Sequence, residues 1–325
     1  MKTVNKIAVI TSGGDAPGMN ACIRSVVRTA INEGLTIFGI SGGYKGLVEG
    51  ELIPLSRRSV SNIIQKGGTF LKTSRSESFY HKSGRRRAAD TLKEWDIDGT
   101  IVIGGDGSFH GAHAISVEFG VKVIGIPATI DNDIYGTDIT IGYDTAIGTA
   151  LDLIDKIRDT AASHDRLFIV EVMGRQSGFI ALEVGICGGA EEILVPETKV
   201  TMEDLGKMVK TWSRAGKTSS LVVVAEGDEL GNAHSIAQAM KEKYNIDSHV
   251  CVLGHTQRGG SPTATDRLLA SRLGYYAVIA LKDGKSDIMV GWQNNSITYI
   301  PLLETWEKKK PLDAELMKIY RILST

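Results

Sequence analysis

The chain has 325 residues, 42% of them hydrophobic and 23% charged, a balance that excludes a disordered or fibrous protein. A formal net charge of −1 argues against nucleic acid or an acidic membrane surface as the main partner. The length exceeds that of a usual single core and points to two domains.

The opening MKTVNKIAVITSGG carries too short an apolar run for a signal peptide, and no run approaches a membrane span. Cys22, Cys187 and Cys251 share neither a CxxC nor a metal-ligand spacing. They are expected to be buried, reduced thiols, and the expected location is cytoplasmic. KIAVIT (6–11) reads as a strand, followed by a glycine turn and a helix from near Met19. TIFGI (36–40), GTIVIGG (99–105) and VKVIGI (121–126) read as further strands, then LFIVEV (167–172), EILVP (192–196), SLVVVAEG (220–227) and VCVLG (250–254). Most are apolar throughout, as strands covered on both faces should be. Helical patterns fill the gaps, among them 145–161 and 263–284, and TMED (201–204) has the form of a capping box. This alternation predicts an α/β protein of two doubly wound, mostly parallel lobes, changing over near Gly142–Thr145. The basic runs RRR (85–87) and EKKK (307–310) read as solvated faces.

Four strand ends carry unusual chemistry, and strand ends are where open parallel sheets collect ligands. In TSGGDAPGMN (11–20), Gly13 and Gly14 leave main-chain amides free near a helix start, which attracts phosphate, although a plain glycine turn reads the same way. In GGDGS (104–108), Asp106 between glycines is either a Mg²⁺ contact beside phosphates or a helix cap. GIPATIDND (125–133) sets Asp131 and Asp133 on either side of Asn132, and such close carboxylates need cations nearby. EVMGRQSG (171–178) brings Arg175 after a sharp turn at Gly174. Neither GxxxxGK[ST] nor an early GxGxxG is present, which disfavours a P-loop ATPase and a Rossmann dehydrogenase. His110 and His113, three apart on a helix without a third ligand, read as surface residues.

Together TSGGDAPGMN, GGTFLKTSR, IGGDGS, TIDNDIYGTD, RDTAASHDR, VEVMGR and LGHTQRGGSPTATDR, in this order, resemble the bacterial type of ATP-dependent 6-phosphofructokinase. The resemblance implies an ATP-binding lobe of 1–142 and 257–305 and a sugar-phosphate-binding lobe of 143–256 and 306–325. It also implies an active site in the cleft between them, a homotetramer, and transfer of the γ-phosphoryl group of MgATP to the 1-hydroxyl of fructose 6-phosphate. Asp131 matches the base, Asp133 a second carboxylate that stays charged, Thr129 a hydrogen-bond donor to the phosphoryl group, and Arg175 and Arg75 its cationic clamp. Nucleotide contacts map to Gly14, Tyr44, Arg75, Ser76, Gly105, Asp106, Gly107 and Ser108, with Mg²⁺ at Asp106. Substrate contacts map to Thr129, Ile130, Asp131, Arg166, Met173, Gly174, Arg175, Glu226, His249, His255 and Arg258. Arg24, Arg28, Arg57, Arg158, Gly189, Glu191 and Lys217 match an effector site for ADP or phosphoenolpyruvate.

Pyrophosphate-dependent relatives carry aspartate at position 107 and lysine at 128. Gly107 and Ala128 therefore read as ATP, although Ala128 adds a methyl to the usual glycine. A non-catalytic sugar-phosphate sensor would have no need of Asp131, and lipid or NAD kinases share GGDG without the other motifs. His249 stands where the family's second arginine, supplied by the neighbouring subunit, is usual, so weaker substrate binding that tightens as pH falls is expected. Ala215 and Thr218 replace basic residues of the effector pattern, which should blunt anion binding.

Overall fold

The computed structural model describes residues 4–74, 76–162, 167–217 and 219–324. It separates into two compact units: residues 1–130, 134–145 and 258–310, and residues 131–133, 146–257 and 311–325. The helix Tyr143–Ala162 starts in the first and continues in the second.

Eleven strands run through the described chain: β1 (Lys6–Thr11), β2 (Thr36–Ile40), β3 (Leu52–Pro54), β4 (Gly99–Gly104), β5 (Val123–Pro127), β6 (Leu167–Val172), β7 (Glu192–Leu194), β8 (Ser220–Ala225), β9 (Ser248–Val252), β10 (Ile288–Gln293) and β11 (Ser296–Pro301). In the first unit they form one sheet in the order β11-β10-β5-β4-β1-β2-β3. The five inner strands are parallel and only the edge strands β3 and β11 run antiparallel. Every residue of β4 and of β5 is buried, as expected of strands with helices on both faces. The chain passes from β1 to β2 on one side and reaches β4 on the other, so the loops after β1 and β4 diverge at a topological switch point. The second unit holds an all-parallel sheet in the order β7-β8-β6-β9.

The expected α/β class with mostly parallel sheets is what the chain forms. The capping box is present: Thr201 Oγ1 accepts from Asp204 N at 3.1 Å, and the Asp204 carboxylate accepts from Thr201 N at 3.2 Å. Three expectations need correcting. β9 starts two residues before the apolar run VCVLG, because it is an edge strand whose alternate residues face outward. Only Cys22 is buried; Cys187 is exposed and Cys251 intermediate. Arg85 is not solvated either. Its guanidinium grips Glu118 with two bonds of 2.9 and 2.7 Å and donates to the Phe79 and Tyr80 carbonyls. That fork pins the far end of the helix whose first residue is Asp106.

Candidate active site

In the first unit the loops after β1, β4 and β5 leave the carboxyl ends of neighbouring parallel strands. Their shape depends on absent side chains. A methyl on Gly104 would come within 2.4 Å of Ser108 Oγ and 2.5 Å of the Ser12 carbonyl, so the two loops close on each other only around glycine. Gly13 takes the left-handed φ of 83°, and Gly13 and Gly14 are both exposed. At Gly107 the situation reverses, since a Cβ there would meet nothing within 4 Å. The fold does not require glycine at 107.

Asp106 opens the helix Asp106–Phe119, and Gly105 holds the cap position without a side-chain bond, so Asp106 is not the cap. Its Oδ1 is a buried atom that accepts no hydrogen bond and stands 3.5 Å from His110 Nε2. Ser108 Oγ is likewise buried without a partner. Tyr44 lies beneath this loop: its ring stacks on Phe79 at 4.1 Å and its hydroxyl donates to the Ser108 carbonyl at 2.6 Å. Burial raises the Tyr44 phenol above its ordinary value, which keeps that donor proton in place. Ser76 Oγ pairs with Ser78 Oγ at 3.0 Å.

His110 stacks on Trp306 at 3.9 Å, and His113 Nδ1 is 2.9 Å from Asp287. Both histidines are thus packed against partners in their own unit. Arg258, expected at the sugar, belongs to this unit and donates to the Asp15 carbonyl at 3.3 Å. Thr129 and Ile130 are buried after β5, with the Thr129 carbonyl accepting from Thr140 Oγ1 at 2.6 Å. Ala128 is fully buried, so its extra methyl sits in packing.

The second unit gathers charge. Asp131 has 2% of its side chain exposed, and Arg175 Nε stands 3.3 Å from its Oδ2. A carboxylate this deep persists where a guanidinium and hydrogen bonds offset its lost hydration. Asn132, between the two aspartates, and Arg175 both hold positive φ, 54° and 53°, so the chain bends at each rather than following a regular element. The turn after β6 is built tightly. A Cβ on Gly227 would lie 1.8 Å from the Arg175 carbonyl, which makes glycine obligatory there. Arg175 N donates to Glu226 Oε1 at 2.8 Å, and Ser177 Oγ donates to the Gly174 carbonyl at 2.8 Å and to the Asp131 carbonyl at 3.4 Å. Met173 N donates to Gln257 Oε1 at 2.8 Å.

Asp133 is half-buried, His255 is exposed, and His249 is exposed on β9 with its ring stacked on Phe168 at 5.3 Å. Ser177, Gly227 and Gln257 escaped sequence reasoning because none carries a charge or a free nucleophile; only their place inside quoted motifs or next to Glu226 pointed at them. Arg75, Arg166 and Thr218 lie outside the described residues.

The residues expected at an effector site fall into two groups. In the second unit Glu191, with 6% of its side chain exposed, pairs with Lys217 Nζ at 3.1 Å and with Arg158 at 3.9 Å. Arg158 also donates to the Gly189 carbonyl. In the first unit Arg28 and Arg57 line a cavity of about 330 Å³. Arg24 lies on the same helix as Arg28, and burial and the Arg28 charge lower its pKa.

A family model described as Phosphofructokinase matches residues 6–281. The chain belongs to the phosphofructokinase family. It is 51% identical, over 99% of its length and 100% of the other chain, to the ATP-dependent 6-phosphofructokinase 1 of Thermus thermophilus. Among solved structures, phosphofructokinase from Saccharomyces cerevisiae matches with a TM-score of 0.87 and 35% identity, over 98% of this chain and 47% of the yeast one. A pyrophosphate-dependent phosphofructokinase from Marinobacter aquaeolei matches with a TM-score of 0.84 and 25% identity, over 96% of this chain and 86% of that one. Members named for different phosphoryl donors thus share the fold, and the donor must be read from side chains.

Proposed function

We propose that the protein is an ATP-dependent 6-phosphofructokinase: it transfers the γ-phosphoryl group of ATP to the 1-hydroxyl of fructose 6-phosphate, giving fructose 1,6-bisphosphate and ADP in glycolysis. The observation that carries the reading is Asp131, a buried carboxylate in the middle of the TIDND loop, 3.3 Å from the guanidinium of Arg175. A sugar alcohol is a poor nucleophile at neutral pH, and Asp131 takes its proton as the bond to phosphorus forms. Such a base contributes about 10²–10⁴-fold, or roughly 3–5 kcal/mol of barrier.

Arg175 is more than half exposed and free to face negative charge on the moving group. Arg75 supplies the second clamp, Thr129 a hydrogen bond to the phosphoryl oxygens, and Asp133 a second carboxylate. Glu226, which already fixes the Arg175 amide, has a further oxygen for a sugar hydroxyl. Met173, Gly174, Arg166, His249, His255 and Arg258 complete the sugar-phosphate contacts.

On the nucleotide side, open space at Gly107 leaves room for the α-phosphate of ATP. The exposed amides of Gly13 and Gly14 suit the phosphates. Asp106 fits Mg²⁺: its Oδ1 is a hard oxygen with no hydrogen bond to give up. Among the described residues no group of three His, Cys, Asp or Glu could hold a metal. An ion held at Asp106 would offset negative charge on the nucleotide phosphates. We also assign the protein to the cytoplasm as a homotetramer, with ADP or phosphoenolpyruvate acting on Arg24, Arg28, Arg57, Arg158, Gly189, Glu191 and Lys217. Among the described residues no helix is long and apolar enough to cross a membrane.

A coupled assay with fructose 6-phosphate and either ATP or pyrophosphate tests this reading. Turnover with ATP that collapses in Asp131→Ser is expected; turnover with pyrophosphate alone would overturn the donor assignment. Titrating ADP and phosphoenolpyruvate against the rate curve tests the effector assignment.

A further inference from the structure

We infer that Gln257 is a positioning residue for the sugar phosphate: its carboxamide oxygen continues the β6–β9 ladder past the end of β9 and fixes the main chain of the Met173–Arg175 turn. The inference rests on that turn being the sugar-phosphate contact proposed above. β9 stops at Val252, and the last regular bond runs from Leu253 N to the Glu171 carbonyl at 3.0 Å. In an uninterrupted parallel ladder the next donor, Met173 N–H, would meet the Leu253 carbonyl. At Gly254 the chain instead takes a φ of 51° and winds into the short 3₁₀ helix Gly254–Arg258. The Leu253 carbonyl accepts the Thr256 hydroxyl at 2.6 Å, and Met173 N–H donates to Gln257 Oε1 at 2.8 Å.

Gln257 is fully buried, so no water can replace that acceptor. On the opposite flank Glu226 N donates to the Val172 carbonyl at 3.0 Å, and its carboxylate takes the Arg175 amide at 2.8 Å. The turn that presents Met173, Gly174 and Arg175 is therefore pinned on the β9 side by Gln257 and on the β8 side by Glu226. Because a main-chain N–H only donates, the facing atom of Gln257 must be its oxygen, which leaves Nε2 buried without a partner. Few side chains can fill this place. Methionine has the length without the acceptor, asparagine the acceptor without the reach, and glutamate adds a buried charge close to an anionic substrate.

Steady-state kinetics and amide hydrogen exchange on the full-length protein, on Gln257→Met and on the milder Gln257→Asn test the assignment. In the wild type the Met173 amide should be as protected as those of Ile169 and Val170. In Gln257→Met it should exchange faster while those two hold. KM for fructose 6-phosphate should rise roughly tenfold in Gln257→Met and less in Gln257→Asn, with KM for ATP within about twofold. An unprotected Met173 amide in the wild type would overturn the inference whether or not either variant folds. So would unchanged kinetics, or both KM values rising together with a fall in Tm, which would mark a structural role alone. A wild type that does not phosphorylate fructose 6-phosphate would instead remove the reading beneath it.

Discussion

In the first unit Gly13, Gly14 and Gly105 offer main-chain amides and Gly107 open space, whereas in the second Asp131, Arg175 and Glu226 offer fixed charges held by buried acceptors. The first surface is made by leaving atoms out, so substitutions there act by adding them. The second is made by orienting charged groups, so substitutions there act by taking a bond away. A polyanion with many equivalent oxygens needs only donors and room, while a reaction at one hydroxyl needs a particular base in a particular place.

The largest effect should come from the second surface. Asp131→Ser is expected to lower kcat by about 10²–10⁴-fold while circular dichroism and Tm show a folded protein. A variant with turnover near wild type would break the comparison at its root. Next comes a paired test of the first surface. Gly104→Ala drives a methyl to 2.4 Å from Ser108 Oγ, and should cost about 1–3 kcal/mol of stability through overpacking. Gly107→Ala, with nothing within 4 Å, should leave Tm unchanged. Gly107→Asp should also fold normally but raise KM for ATP by roughly tenfold or more, because the new charge faces phosphates. Equal Tm losses at positions 104 and 107 would show that glycine there serves the backbone alone.

How far the sequence revealed this division depends on which atoms do the work. Asp131, Arg175, Asp106 and the glycine pairs were legible because charge at a strand end, and missing side chains beside it, are visible as letters. The inner strands were legible as unbroken apolar runs. β3 and the hairpin of β10 and β11 carry no clear apolar run: β3 spans three residues, and no position of β11, at the sheet edge, is fully buried. Gln257 stayed hidden because its function depends on a strand ending early, which no letter states. Arg85 reads as solvated in the sequence because its partner Glu118 lies 33 positions away.

Within the second unit, the C-terminal helix Ala314–Leu323 is tied to β7 by a buried tyrosine. Tyr320 donates to Glu192 Oε1 at 2.8 Å and accepts from Ile193 N at 2.9 Å. Tyr320→Phe leaves those groups short of a partner and should cost about 1–3 kcal/mol, read as a fall in Tm with KM values unmoved. Burial raises the Glu192 carboxyl above the ordinary glutamate value, against the opposing pull of Tyr320 and Ile193. The folded state thus holds that proton more tightly than the unfolded chain does. Its contribution to stability is complete below the unfolded value of about 4.3 and is lost as pH rises through the folded one. Glu192→Gln should remove this slope, so the wild type should lose ground to the variant as pH is raised from about 4. A constant difference would show that the carboxyl is not driven by burial.

The smallest expected effect sharpens the comparison most, because His249→Arg adds a charge to the surface that works by charges. His249 is exposed on the edge strand β9, and its stacking on Phe168 leaves room for a longer side chain to extend into solvent. A guanidinium fork binds a phosphate with two bonds where an imidazole offers one, so KM for fructose 6-phosphate should fall severalfold, equivalent to about 1 kcal/mol. KM for ATP should not move. An unchanged KM for fructose 6-phosphate in His249→Arg would mean that His249 only packs, and that the charges of the second surface end at Arg175 and its neighbours.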